Sequence, residues 1–179
     1  MNTIKYNETT DCLDVYLNDQ LIGSLPCHFY EYVLYDNGII YVDGGFEKNT
    51  LGSNIPSNMS PYITENSGYI LFGASNSSNM YSGGATLNTV NPIYLTKYEK
   101  LSVTLSYLGT QAVDLLVNKE KGSSNYERIL HIKSTSISAS PGTFTLDISG
   151  LTGEYYIGIS IGVALSTNQS IYITKIELH

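Results

Sequence analysis

Residues 144–178 read FTLDISGLTGEYYIGISIGVALSTNQSIYITKIEL, and they decide the fold class. Phe144, Leu146 and Ile148 alternate with Thr145 and Asp147, the period of two that marks a half-buried strand. Ser149, Gly150, Thr152 and Gly153 break that pattern as a turn does. In the next run Tyr155, Ile157, Ile159, Ile161 and Val163 share one face, bulky and branched, fit for a core. Tyr156, Gly158, Ser160, Gly162 and Ala164 share the other, which is nearly bare, so another group can approach the backbone there. Residues 166–168 turn the chain again, and residues 171–178 form a closing strand. Three strands cannot bury so many side chains by themselves, so the rest of the chain has to supply a second sheet.

Upstream the same signals recur. Leu13, Val15 and Leu17 alternate with Asp14 and Tyr16, and residues 21–25 return after a turn, which predicts an N-terminal hairpin. With Asp19-Gln20 as a two-residue turn, Cys12 and Cys27 oppose each other at about 4.5–5.5 Å between Cα atoms, within disulfide reach. The alternatives there are a disulfide and two free buried thiols. A turn is expected at Asp36-Asn37-Gly38. Residues 47–67, rich in Asn, Ser, Pro and Gly, read as a long loop or irregular edge. Strands are expected at 69–72, 93–95, 101–108, 113–118 and 126–133. Polar loops are expected at 74–84 and 119–125, with a serine-rich link at 134–142. No stretch reads as a helix. Short strands joined by polar turns point to an all-β fold, an antiparallel β-sandwich or jelly roll. The expected division is a small N-terminal hairpin or connector over 1–33 and a sandwich over 34–179.

Composition narrows the function. The 179 residues suffice for one domain that buries roughly 70% of its unfolded surface. A net charge of −7 argues against nucleic acid and against an anionic membrane surface. No apolar run reaches the roughly 18 residues of a spanning helix, and residues 1–19 lack the apolar centre of a signal peptide. The chain holds 16 Tyr and no Trp, and its polar residues are mostly neutral.

Catalytic constellations are missing. His28, His131 and His179 fall in no zinc-binding spacing, and there is no nucleophile elbow or phosphate loop. The acids nearest one another, Asp36, Asp43 and Glu47, flank glycine-rich turns, where acids are solvated. No enzymatic activity is expected. Sugar recognition needs an aromatic face for the apolar side of the ring and amides or hydroxyls for its hydroxyl groups. Tyr62, Tyr81 and Tyr126, beside Asn79 and Asn125, supply that chemistry and are the expected ligand-binding residues, with Tyr81 and Tyr126 foremost.

The order Leu34-Tyr35-Asp36-Asn37-Gly38, Gly44-Gly45-Phe46, Gly68-Tyr69-Ile70 and Ile93-Tyr94-Leu95-Thr96-Lys97-Tyr98 resembles the C-terminal β-sandwich domains of prophage tail and baseplate-associated proteins of Gram-positive bacteria. So does Phe144-Thr145-Leu146-Asp147-Ile148 followed by Tyr155-Tyr156-Ile157-Gly158-Ile159. The resemblance spans about residues 34–178. It implies a galactose-binding-like jelly roll akin to carbohydrate-binding modules. The function then expected is recognition of cell-surface carbohydrate by a phage or prophage receptor-binding protein, made in the cytoplasm and released with the virion by lysis. The further partners are other tail or surface-protein subunits, a second copy of the chain included. The alternatives are a structural virion or adhesin component that only packs against neighbours and, below it, a glycan-degrading hydrolase. No cofactor is expected beyond a structural calcium, for which the resemblance offers Asp43, Glu47 and Glu177 as oxygen donors.

Overall fold

The structure is a computed structural model that describes residues 2–7, 12–26, 31–51, 59–78, 83–109, 113–121, 131–137, 140–164 and 166–179. Among the described residues every regular element is a strand. They form an antiparallel β-sandwich of jelly-roll type, preceded by a small three-stranded sheet.

That first sheet has the order β1 (Asn2–Asn7), β2 (Cys12–Leu17), β3 (Gln20–Pro26): β2 and β3 are the expected hairpin, and β1 adds a third strand that makes it a meander. Residues 2–7, NTIKYN, are mostly polar and gave no alternation to read. The turn is also displaced by one residue. Asn18 and Asp19 have φ of 48° and 64°, and Leu17 pairs with Gln20. A two-residue turn of this kind needs left-handed backbone at both positions, which Asn and Asp tolerate and Gln does not. With a bulge between Val15 and Tyr16, Cys12 then falls opposite Pro26; Cys27 lies outside the described residues. The Asp14 carboxylate accepts hydrogen bonds from Ser24 Oγ at 2.5 Å and Asn7 Nδ2 at 2.8 Å. Among the described residues the strands of this sheet pair only with one another.

The first sandwich sheet is six-stranded. Its path is β13 (His131–Ile137), β12 (Val113–Asn118), β15 (Glu154–Val163), β9 (Gly83–Thr89), β6 (Phe46–Leu51), with β10 (Ile93–Tyr94) also on β15. The second is seven-stranded, with β14 (Gly142–Asp147), β11 (Lys100–Leu108) and β16 (Asn168–Leu178) in order. The other edge of β16 is shared. Its later half pairs with β4 (Tyr32–Asp36), which turns through Asn37-Gly38 into β5 (Ile39–Ile40). Its earlier half pairs with β8 (Tyr69–Asn76), which carries β7 (Met59–Asn66) at the edge.

The stretch 144–178 therefore serves both sheets: β14 and β16 belong to one and β15 to the other. Its branched residues meet in the core as expected. Ile157, Ile159 and Ile161 of β15 face Val103 and Leu105 of β11 and Leu146 of β14, all buried, with Phe144 packed at the margin. Gly44 and Gly45 have φ of 74° and 70°, a backbone reversal in which Gly45 O accepts from Val90 N at 2.9 Å and brings β6 alongside β9.

Three expected loops are partly strand. The span 47–67 contains most of β6 and β7, the span 74–84 contains the end of β8 and the start of β9, and the link 134–142 contains the end of β13. In each case backbone pairing to a neighbouring strand outweighs a weak local pattern. FEKNTL and GGATLNT present polar residues on both faces, so periodicity alone does not reveal them. Residues 126–130, from the expected strand at 126–133, lie outside the described residues.

Candidate functional site

The bare face of β15 is not empty. Ile157, Ile159 and Ile161 point into the core, so Gly158 and Ser160 point out of the sandwich. Register places Leu116, Gly158, Asn88 and Glu47 side by side across β12, β15, β9 and β6. The next row is Asp114, Ser160, Thr86 and Asn49. An outward face of a sheet is ordinarily wet. Here Thr86 and Asn88 are 0% exposed and Leu116, on the same face and away from the core, is 2% exposed. This part of the face is shielded from solvent, and we call it the recess over Gly158.

Glycine is required at its centre. A Cβ at Gly158 would stand 2.8 Å from Asn88 Oδ1, 3.4 Å from Leu116 Cβ and 3.6 Å from Asn118 Nδ2. Two carboxamides therefore converge over one bare Cα from opposite sides. Asn88 Nδ2 donates to Thr86 Oγ1 at 3.0 Å, while Asn88 Oδ1 is buried without a hydrogen-bond partner. On the adjacent strand Asn49 Nδ2 is likewise buried and unpartnered. A buried acceptor and a buried donor left open on one face cost roughly 1–3 kcal/mol each in desolvation. A hydroxyl group, which both donates and accepts, suits that pair.

The rim is charged. Lys121 Nζ pairs with Glu47 Oε1 at 2.9 Å and stands 5.3 Å from the centre of the half-buried Tyr156 ring. Lys121 follows β12 and Glu47 lies on β6, so the pair straps across the intervening β15 and β9. The backbones of Glu47 and Asp114 lie three strand spacings apart, roughly 14 Å.

Of the residues expected to bind ligand, Tyr81, Tyr126, Asn79 and Asn125 lie outside the described residues. Tyr62 is on β7, in the seven-stranded sheet, and so is separate from the recess. The acids offered for calcium do not share a sheet. Glu47 is on β6, Glu177 is on β16 and paired with Lys175, and Asp43 accepts from Asn91 Nδ2 at 2.9 Å in the loop before β6. No cluster of three metal-ligating side chains occurs among the described residues. Sequence reasoning pointed to the bare face of β15 but missed Asn88 and Asn49. The one available signal, Ala85 and Leu87 alternating with Thr86 and Asn88, is two apolar residues long.

No protein-family model matches the chain, and no curated protein matches it. Solved structures do. One reported for carbohydrate-binding modules of the β-sandwich superfamily aligns with a TM-score of 0.56 at 13% identity, over 94% of this chain and 72% of the other. A family 29 carbohydrate-binding module from Piromyces equi aligns with a TM-score of 0.48 at 13% identity, over 83% and 88%. The family 11 module of a Clostridium thermocellum cellulosomal cellulase aligns with a TM-score of 0.49 at 12% identity, over 83% and 93%. The first of these shows the fold, an antiparallel β-sandwich.

Proposed function

We propose that the chain is a non-catalytic carbohydrate-recognition module whose ligand lies on the outer face of the six-stranded sheet. The observation that carries this reading is the recess over Gly158, where Asn88 Oδ1 and Asn49 Nδ2 are buried and unpartnered. Both atoms are shielded, so a ligand reaches them only by displacing what covers them; its hydroxyls would then complete both, and the half-buried Tyr156 ring supplies an apolar flank. The shared fold supports the choice by analogy.

The setting we propose is a phage or prophage tail, where the module meets cell-surface carbohydrate beside other tail subunits. The support for that setting is the sequence resemblance over residues 34–178.

The test is calorimetric titration with soluble glucan, mannan, xylan and Gram-positive cell-wall fragments, using the parent chain and Asn88→Ala. Asn88→Ala is expected to weaken binding about tenfold, the worth of roughly one hydrogen-bonded group. The variant also loses the Asn88–Thr86 hydrogen bond, so a melting curve run beside the titration checks that it is still folded. Absence of binding to every glycan, or equal binding by the variant, overturns the reading.

A further inference from the structure

The opposite side of the sandwich carries a surface of different character. Ile171 and Ile173 of β16 and Ile70 and Phe72 of β8 are buried in the core, so the residues between them face outward. Register sets Tyr107, Tyr172, Leu71 and Thr64 in one row across β11, β16, β8 and β7. The next row holds Ser170, Gly73 and Tyr62, and the one after it Asn168, Ser75 and Ser60. None of these side chains carries a charge at neutral pH, in a chain of net charge −7.

The aromatic rings on this face are joined and held. Tyr69 stacks on Tyr172 with centroids 4.6 Å apart and planes within 17°, and Tyr107, 45% exposed, lies 4.7 Å from Tyr172 on the other side. Tyr62 is laid down on the sheet. A Cβ at Gly73 would collide with its Cζ and hydroxyl oxygen, so the ring occupies the space a side chain at 73 would fill. Its hydroxyl reaches on to β16 and donates to Asn168 Oδ1 at 2.8 Å. Covering a strand glycine with a ring stabilises a sheet, and that accounts for Tyr62 over Gly73. It does not account for three further tyrosines collected beside it with neutral hydroxyl and amide groups.

We infer that this face is a second glycan-binding surface, for a neutral oligosaccharide that lies across Tyr62 and the Tyr69–Tyr172–Tyr107 group. The chemistry selects the occupant. A charged ligand meets no countercharge here, and a second copy of the chain brings another −7. A pyranose chain offers apolar ring faces to the tyrosines and hydroxyls to Asn168 and Ser170. The rings are fixed before the ligand arrives, which lowers the entropy cost of binding. The two rows lie roughly 7 Å apart along the strands, so a single sugar ring does not span both. This surface goes beyond the recess over Gly158 and stands or falls separately from it.

The test is ¹⁹F NMR of the full chain labelled with 3-fluorotyrosine, its signals assigned by single Tyr→Phe variants. The probes are the neutral β-linked hexaoses of glucose, mannose and xylose at millimolar concentration. Saturable shifts at Tyr62 and Tyr172 are expected. Tyr62→Ala should weaken the isotherm read at Tyr172 about two- to tenfold, the scale of one aromatic contact. Should Tyr62→Ala fail to fold, Tyr107→Ala, at an exposed ring, replaces it with the same expectation. Shifts confined to Tyr156 would overturn this surface and leave the recess standing. Shifts at Tyr62 and Tyr172 with none at Tyr156 would uphold this surface and count against the recess. Silence at every tyrosine, or shifts that follow protein concentration without sugar, would overturn the second surface, the latter in favour of self-association.

Discussion

The carboxamide of Asn88 on β9 lies over the bare Cα of Gly158 on β15, so close that a methyl group at 158 would stand 2.8 Å from its Oδ1. One missing side chain thus makes room for the group around which the recess is built. Gly158→Ala should push the Asn88 amide off its place and cost about 1–3 kcal/mol by overpacking. Glycan binding should fall with it. Thermal melting and titration of the same variant check both; an Ala variant with unchanged stability would show that Asn88 moves aside freely.

Ile159 is 1% exposed at the centre of β15, between Leu115 of β12 and Leu87 of β9 in register. Ile159→Ala should cost about 2–5 kcal/mol, the penalty for emptying a packed core site. Denaturant unfolding measures it. A loss below about 0.5 kcal/mol would place this face outside the core.

The hydrogen bond from Ser24, and then the one from Asn7, hold the Asp14 carboxyl below its ordinary value of 3.8. A folded-state value that is depressed contributes stability above the ordinary value and loses it as pH falls through the folded one. The N-terminal sheet should therefore loosen only in strong acid, below about pH 3.8, and Asp14→Asn should remove that dependence. Amide shifts of Asn7 and Ser24 followed from neutral to acid pH report it. Loosening that starts well above that pH would point to a different group.

Among the described residues the strands of the first sheet pair only with one another, and β4 begins the sandwich at Tyr32. Deleting residues 1–30 should leave a chain that melts cooperatively, with the hydrogen-exchange protection of β15 and β16 retained. Loss of cooperative melting would show instead that the small sheet completes the core.

Much of this molecule was determined by local chemistry and could be read directly. Ile157, Ile159 and Ile161 alternate with small residues because a strand places successive side chains on opposite faces, and the core they imply is the one observed. The Asn37-Gly38 turn follows from the positive φ, 44° and 99°, that those residues accept. The turn at Asn18-Asp19 obeys the same rule, and weighing Asp19-Gln20 without it put the N-terminal register off by one residue. What tertiary structure alone decided is pairing. β6, β7 and β9 are strands because a neighbour's backbone satisfies theirs, and the alternation around Asn49 and Asn88 is absent or too short to reveal it. The division of 144–178 between two sheets is likewise set by partners far along the chain. The same holds for the binding surfaces. Tyr62 has the chemistry for a sugar in any context, yet its place depends on Gly73 and on Asn168, 106 residues away. The recess needs Gly158, Asn88 and Asn49 from three strands whose adjacency only the folded sheet creates.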